Sequence, residues 1–564
     1  MDIKGNIYKK TLKGKTYYSH QYRENGKMVT KNVSETEAYR LSFQITHQNE
    51  GNYEKLIEHR FHSQVEIGAS LFSLIEKTRS FRARDALQEI GRYLSDDRTY
   101  GRVLVLYGLR RSGKTTLMMQ AMAGLPLSDF AHTAYVKVGK GEDYLQLNED
   151  LDFLFAHGIN RVFIDEITLM DDFISVASVY SDIYAMKGKV VLSGTDSLGF
   201  VLSSRQELYD RAVFLHTSMI PYAEWSRVLG IDSIDAYIEY GGSMSYEGID
   251  YNKEIKNDFG TINEYVDTAI AHNIIHSLRN YDEGSRFVSL MELDRRGELV
   301  NVINRIVEDT NHRFAIDTIL RDFKSRDLGS LRQLLQKEKE QSLRDVAREI
   351  DVDQVTASLM KALDIINKEK QTFPISEAVL SELEEYLRLL DVTRDIKVIS
   401  APSFAERIKS TFIPLGLRFA QAKELLNILL NQEAVSVLPS PIKSFIKAKL
   451  LSDVKGRMLE EIVLWQTALA NPHGRCFQYS SSHGEYDMVL LDQERGFADI
   501  FEIKYSQTPV LEQAHFLLDP ALTSEFEAHF YPIRHRSVLY QGEDQELEGV
   551  RYQNVGRYLK EIYK

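Results

Sequence analysis

The chain has 564 residues, more than the roughly 250–300 that one hydrophobic core serves, so three to five domains are expected. Its 43% hydrophobic and 27% charged content excludes a disordered chain, and a net charge of −13 excludes a uniformly basic nucleic-acid binder. The single cysteine, Cys476, excludes intrachain disulfides and multi-cysteine zinc sites. No apolar leader core and no run of about 18 apolar residues is found, so a cytoplasmic chain without a membrane span is expected.

Residues 1–60 are expected to form a small separate module. Ile7–Leu12, Tyr17–Glu24 and Met28–Val33 read as strands, and Asn25-Gly26 is a two-residue hairpin signal. Ser34 with Glu37 three residues on opens a helix. From Met1 to Val33 there are eight Lys/Arg against two Asp/Glu, and Tyr8, Tyr17, Tyr18 and Tyr22 lie among them. Two readings stand: contact with DNA or RNA through phosphate pairing and base stacking, or a solvated face whose tyrosines pack the sheet. The element order resembles the arm-binding modules of phage-type integrases.

Strand and helix patterns alternate over residues 61–225, as a parallel sheet with crossovers requires. Arg102–Tyr107, Thr133–Val138, Arg161–Ile164 and Val190–Leu192 read as its strands. After the first comes Gly108-Leu109-Arg110-Arg111-Ser112-Gly113-Lys114-Thr115, which fits G-x-x-x-x-G-K-[ST]. Glycines let backbone N–H groups close around phosphates, and the next helix adds its positive end. Gly108, Arg111, Ser112, Gly113, Lys114, Thr115 and Thr116 form the expected nucleotide cradle. Lys114 is expected on the β- and γ-phosphates and Thr115 on Mg²⁺. The third strand ends in Asp165-Glu166. Asp165 is expected to hold Mg²⁺ through water, and Glu166 to orient or activate the attacking water. Ser193 and Thr195, at the end of the fourth strand, are candidates for sensing the γ-phosphate, with turn chemistry as the alternative. Arg205 and Arg211 are candidates for a finger acting on a neighbouring subunit, with a surface salt bridge as the alternative.

These residues, with Ile220-Pro221-Tyr222-Ala223-Glu224 and Tyr237–Gly242, resemble AAA+ ATPases of the archaeal-ATPase type. The resemblance implies a P-loop core with a helical lid over 226–330, a winged-helix region over 331–400 and a restriction-endonuclease-like α/β domain over 401–564. It also implies ATP with Mg²⁺, and assembly into a homo-oligomer.

Leu343–Leu363 reads as two short helices joined at Asp351–Asp353, the spacing of a helix-turn-helix. The second carries one lysine and no arginine, and the turn is acidic, so a structural or protein-binding role is favoured over groove reading. In the last region Glu485-Tyr486-Asp487 opens a strand, and Glu502-Ile503-Lys504 ends another. Positions two apart share a strand face, so Glu502 and Lys504 point the same way among apolar neighbours. Asp487 with Glu502-x-Lys504 resembles the catalytic pattern of PD-(D/E)xK nucleases, although Tyr486 stands where that pattern has proline. The resemblance implies Asp487 and Glu502 as Mg²⁺ ligands, Lys504 as a charge stabiliser, and Glu460 as the acid on the preceding helix. Glu485 and Asp499 are alternative acids. Two functions stand. One is an ATPase that controls a DNA nuclease, in defence against foreign DNA or in mobile-element biology. The other is a nucleotide-dependent switch, including a transposition-type regulator, whose last domain only binds DNA or protein.

Overall fold

The computed structural model describes residues 4–12, 15–139, 141–170, 173–195, 208, 210–217, 220–242, 266–271, 274–275, 278, 287–322, 333, 351–370, 376–436 and 438–563. They divide into two compact units, one over residues 1–219 with 272–285 and one over 220–271 with 286–564.

The first unit opens with β1 (Asn6–Leu12), β2 (Lys15–Glu24) and β3 (Lys27–Val33), an antiparallel sheet in the order β1-β2-β3. Asn25 (φ 49°) and Gly26 (φ 80°) are both left-handed, as a two-residue hairpin of this hand demands. The Ser34 hydroxyl accepts the Glu37 N–H at 3.2 Å and caps the helix Glu35–Asn49. That helix does not form a separate module with the strands. Tyr18, Ala38 and Tyr39 lie in one buried cluster with Leu71, Phe72 and Phe130, because the helix has an apolar face that three strands alone cannot cover.

The second sheet of this unit holds β4 (Gln64–Ile67), β5 (Val103–Tyr107), β6 (Thr133–Lys137), β7 (Arg161–Asp165), β8 (Lys189–Gly194) and β9 (Ala212–His216). Its order is β4-β6-β7-β8-β5-β9, parallel throughout except for β4 at one edge. Both faces are covered, which explains the unbroken apolar strands. Val103, Val105 and Ile164 join one core cluster, whereas Leu104, Leu106 and Phe163 join another.

The second unit carries β10 (Thr393–Ser400), β11 (Ala405–Phe412), β12 (Arg475–Ser481), β13 (Gly484–Asp492), β14 (Phe497–Ile503), β15 (Ile533–Tyr540), β16 (Gln545–Leu547) and β17 (Val550–Asn554). They form one mixed sheet in the order β11-β10-β12-β13-β14-β15-β17-β16. The sheet begins at Thr393, ahead of the domain start expected at 401, because β10 pairs in parallel with β12. A 31-residue helix, Ser440–Ala470, packs its apolar stripe (Ile442, Ile446, Leu450, Val454) into the largest core cluster. Of the expected helix-turn-helix, the first helix lies outside the described residues. The second is the start of the helix Val352–Lys370.

Among the described residues no helix is long and apolar enough to cross a membrane. Cys476 is buried against the Leu464 carbonyl, and burial pushes its thiol up to about 12, so it packs rather than reacts.

Candidate functional site

Two clusters of charged groups stand out, one in each unit. In the first, the strand order sets the geometry. β5 ends at Tyr107 and runs into Gly108, β7 ends at Asp165, and β8, with Ser193 one residue before its end, lies between them. All three ends are at the same edge of a parallel sheet, where ligands of such sheets gather.

The loop Gly108–Thr115 turns on left-handed residues: Arg111 at φ 70° and Gly113 at φ 86°, with Gly108 at φ 142°. This backbone aims successive N–H groups inward. Lys114 is buried, and its ammonium donates to the carbonyls of Gly108 (2.9 Å) and Leu109 (3.1 Å). Burial pulls it down to about 8, opposed by Glu166 and Asp165. A buried cation whose partners are neutral carbonyls is suited to receive phosphate. Lys114 itself opens the helix Lys114–Ala123.

Asp165 is 2% exposed and gathers three hydroxyls. Thr115 Oγ1 donates to its Oδ2 at 2.7 Å, Tyr135 Oη donates to Oδ2 at 2.8 Å, and Ser193 Oγ donates to Oδ1. Thr115 and Asp165, the expected Mg²⁺ pair, are thus already in contact, and both offer oxygen, the donor this ion selects. Glu166 adopts a left-handed conformation (φ 60°), a strained backbone that aims it away from the strand. Burial first, then the neighbouring Asp165, raises its carboxyl, as suits a proton acceptor.

Two candidate residues stand outside this cluster. Ser193, and not Thr195, brings its hydroxyl to Asp165. Thr195 lies past the strand end and donates its N–H to Thr168 Oγ1 at 3.2 Å. Arg211 is not part of its own chain's cradle. Its carbonyl bonds to Val103 at the start of β5, a strand length of about 16 Å from the loop, and its guanidinium pairs with Asp182 at 3.1 Å. Arg205 lies outside the described residues. Three supports were missed by sequence reasoning. Arg84, 6% exposed, donates to the carbonyls of Ser112 and Thr217, the latter at 2.8 Å. Ser112 and Thr217 share a hydroxyl bond of 2.7 Å. Tyr135 is the third. Arg84, Thr217 and Tyr135 belong to no motif; Tyr135 alone had a signal, a hydroxyl flanked by Ala134 and Val136 in an apolar stretch.

In the second unit Asp487 on β13 and Glu502 on β14 are 3% and 1% exposed. Lys504 Nζ stands 2.5 Å from Glu502 Oε2 and 3.3 Å from Asp487 Oδ2. Asp487 Oδ2 also accepts the Ile503 N–H at 2.8 Å. Burial, then the charge of Asp487, raises Glu502 well above the carboxylate range. Burial would lower Lys504, but Asp487 and Glu502 outweigh it and hold the ammonium charged. Glu460, on the long helix, belongs to the same electrostatic cluster. Burial and then Asp487 push it up to about 8, and Arg457 pairs with it. Glu502 Oε1 is buried with no hydrogen-bond partner. An orphaned carboxylate oxygen among three acids fits a divalent cation with oxygen ligands. The alternative acids are engaged elsewhere: Glu485 pairs with Arg321, and Asp499 pairs with Arg534 at 3.0 Å. Asp499 also lies three positions from Glu502 on one strand, hence on the opposite face.

Residues 100–225 match the family described as an AAA domain. The parallel sheet, the phosphate loop and the Asp165 cluster therefore belong to an AAA-type P-loop ATPase domain. A search of curated proteins gives no match. Among solved structures the chain is similar to Saccharomyces cerevisiae Hsp104 in an extended complex with casein, at 10% identity and TM-score 0.25, covering 51% of each chain. This chain thus spans about half the length of that protein. It is also similar to a Walker-type ATPase of Pyrococcus abyssi, at 14% identity and TM-score 0.25, covering 59% of this chain and 95% of that one. For the Aeropyrum pernix ORC1 protein in complex with DNA the values are 13% and 0.20, covering 64% and 95%.

Proposed function

We propose that this protein binds and hydrolyses ATP in its AAA domain, and that nucleotide state controls a Mg²⁺-dependent PD-(D/E)xK DNA endonuclease in residues 401–564 together with β10. In this reading residues 226–330 form a lid, 331–392 a winged-helix region that takes a protein partner, and the protein works as a homo-oligomer on DNA. Defence against foreign DNA is the biology such a coupling suits.

In the AAA domain, Lys114 and the loop N–H groups bind and orient the phosphates. Thr115 and Asp165 hold Mg²⁺, Ser193 fixes the second oxygen of Asp165, and Glu166 takes the proton of the attacking water. Mg²⁺·ATP supplies the transferable phosphoryl group.

The nuclease reading is carried by one observation: Glu502 Oε1, buried and unpartnered beside Asp487, Lys504 and Glu460. Asp487 and Glu502 would hold the ion, which polarises the phosphodiester and activates water. Lys504 would neutralise charge developing on the phosphate, and Glu460 would hold a proton near the centre.

The test is plasmid DNA incubated with protein, Mg²⁺ and ATP, beside a Glu502→Ala/Lys504→Ala double variant and a Lys114→Ala variant. Cleavage by the unmodified protein and none by the double variant is expected. Cleavage by neither would leave the last domain a binding module, and equal cleavage with Lys114→Ala would separate the two sites.

A further inference from the structure

A third polar cluster lies in the first unit, away from the phosphate loop, and neither ATP hydrolysis nor DNA cleavage uses it. His47 and Glu50 are one turn apart at the end of the helix Glu35–Asn49, so their side chains share a face. His132 lies just ahead of β6. His47 Nδ1 is 3.2 Å from one Glu50 oxygen, and His132 Nε2 is 3.8 Å from the other. All three donor atoms fall within 4.8 Å of one another.

The remaining ring nitrogens are already engaged. His47 Nε2 bonds to the Ala131 carbonyl at 2.8 Å, and His132 Nδ1 bonds to the Gly158 carbonyl at 2.7 Å. With protons at those carbonyls, each ring presents a lone pair at the nitrogen facing Glu50, the arrangement that orients metal-bound imidazoles. His47 is fully buried, and its Nδ1, 3.2 Å from Glu50 Oε2, makes no well-directed hydrogen bond.

Space is kept for an ion. Gly158 is left-handed at φ 88°, and a Cβ there would stand 2.7 Å from Glu50 Oε2 and 3.5 Å from His47 Cε1. Neighbouring donors around a tetrahedral ion with ligands at roughly 2.1 Å lie about 3.4 Å apart. The 3.2 Å between His47 Nδ1 and Glu50 Oε2 is close to that value, and all three donors fall within 4.8 Å. The side chains of Glu50 and His132 are 38% and 23% exposed, which gives entry from solvent and leaves a fourth position for water.

We propose that His47, Glu50 and His132 bind one Zn²⁺ ion, clasping the N-terminal helix to the α/β core of the same unit. Two imidazoles and one carboxylate suit this ion, whereas Mg²⁺ takes oxygen ligands.

The test uses the full chain carrying Glu502→Ala, which removes the competing carboxylate centre. Chelator-treated protein is titrated with CoCl₂, then with ZnCl₂. One equivalent of Co²⁺ should give the visible absorption of a tetrahedral imidazole-bound ion, and Zn²⁺ should displace it. In His132→Gln that absorption should vanish and Zn²⁺ affinity should fall by at least ~10-fold, with metal-free circular dichroism unchanged. Glu50→Gln, on the more exposed ligand, provides a second variant should His132→Gln fold poorly. No stoichiometric absorption with the site intact, or equal Zn²⁺ affinity in a well-folded His132→Gln or Glu50→Gln protein, would overturn the proposal.

Discussion

Ser193 donates its hydroxyl to Asp165 across the gap between neighbouring strands β8 and β7. A residue at the end of the strand next to β5 is thereby tied to the residue expected to hold the metal. Ser193→Ala removes a hydrogen bond to a charged group, for which about 1.5 kcal/mol is a reasonable lower figure. ATP turnover should fall by about tenfold or more, while nucleotide affinity changes little. Steady-state hydrolysis beside equilibrium ATP binding checks this, and an unchanged kcat would remove Ser193 from the mechanism.

Glu166 and Lys114 should separate chemistry from binding. Glu166→Gln is expected to bind ATP normally and to hydrolyse it ~10²–10⁴-fold more slowly. Lys114→Ala should lose binding itself.

Arg84 fixes the cradle from behind through the Ser112 and Thr217 carbonyls. Arg84→Met leaves two buried acceptors short of a donor, so ATP affinity should weaken by roughly tenfold. Isothermal titration measures this, and wild-type affinity in the variant would contradict it.

Glu460 is raised to about 8, so its protonated form favours the metal-free fold. That contribution is full below the ordinary value of 4.5 and is lost as pH rises to about 8. The metal-free thermal midpoint should therefore drop between pH 6 and pH 9 by more than in Glu460→Gln. Mg²⁺ or Mn²⁺ binding should strengthen over the same window and release protons, which calorimetry in buffers of different ionisation enthalpy would detect.

Glu461 behaves in the opposite way. Arg418 and Lys409 outweigh burial and hold it at about 2. Its contribution to stability is present above the ordinary 4.5 and fades as pH falls towards 2. Arg418→Met strands a buried carboxylate and should cost about 3–5 kcal/mol in denaturant unfolding. A loss under 1 kcal/mol would mean that Lys409 alone suffices.

The parallel core was legible because its strands are short, apolar and bounded by glycine. The phosphate loop was legible because its backbone requires particular residues at fixed spacing. Asp487, Glu502 and Lys504 were legible as charges in apolar strands, and they meet because β13 and β14 form a hairpin. What could not be read was cross-chain geometry. Nothing local marks Arg84 as the support of Ser112, Ser193 over Thr195, or Arg211 as a residue of the far sheet edge. His47, Glu50 and His132 obey no motif spacing, since the fold alone unites them. The N-terminal helix looked independent because the partners of its apolar face lie further along the chain.

Glu460 and Glu461 are adjacent on the helix Ser440–Ala470, so their directions differ by about 100°. One faces the acid cluster, and the other is gripped by Arg418, Lys409 and Thr411. That grip works as an alignment key. Turning the rod to withdraw Glu460 from its neighbours would also pull Glu461 out of its lock. A twist of this helix that withdrew Glu460 would therefore have to break the ion pairs of Glu461 as well.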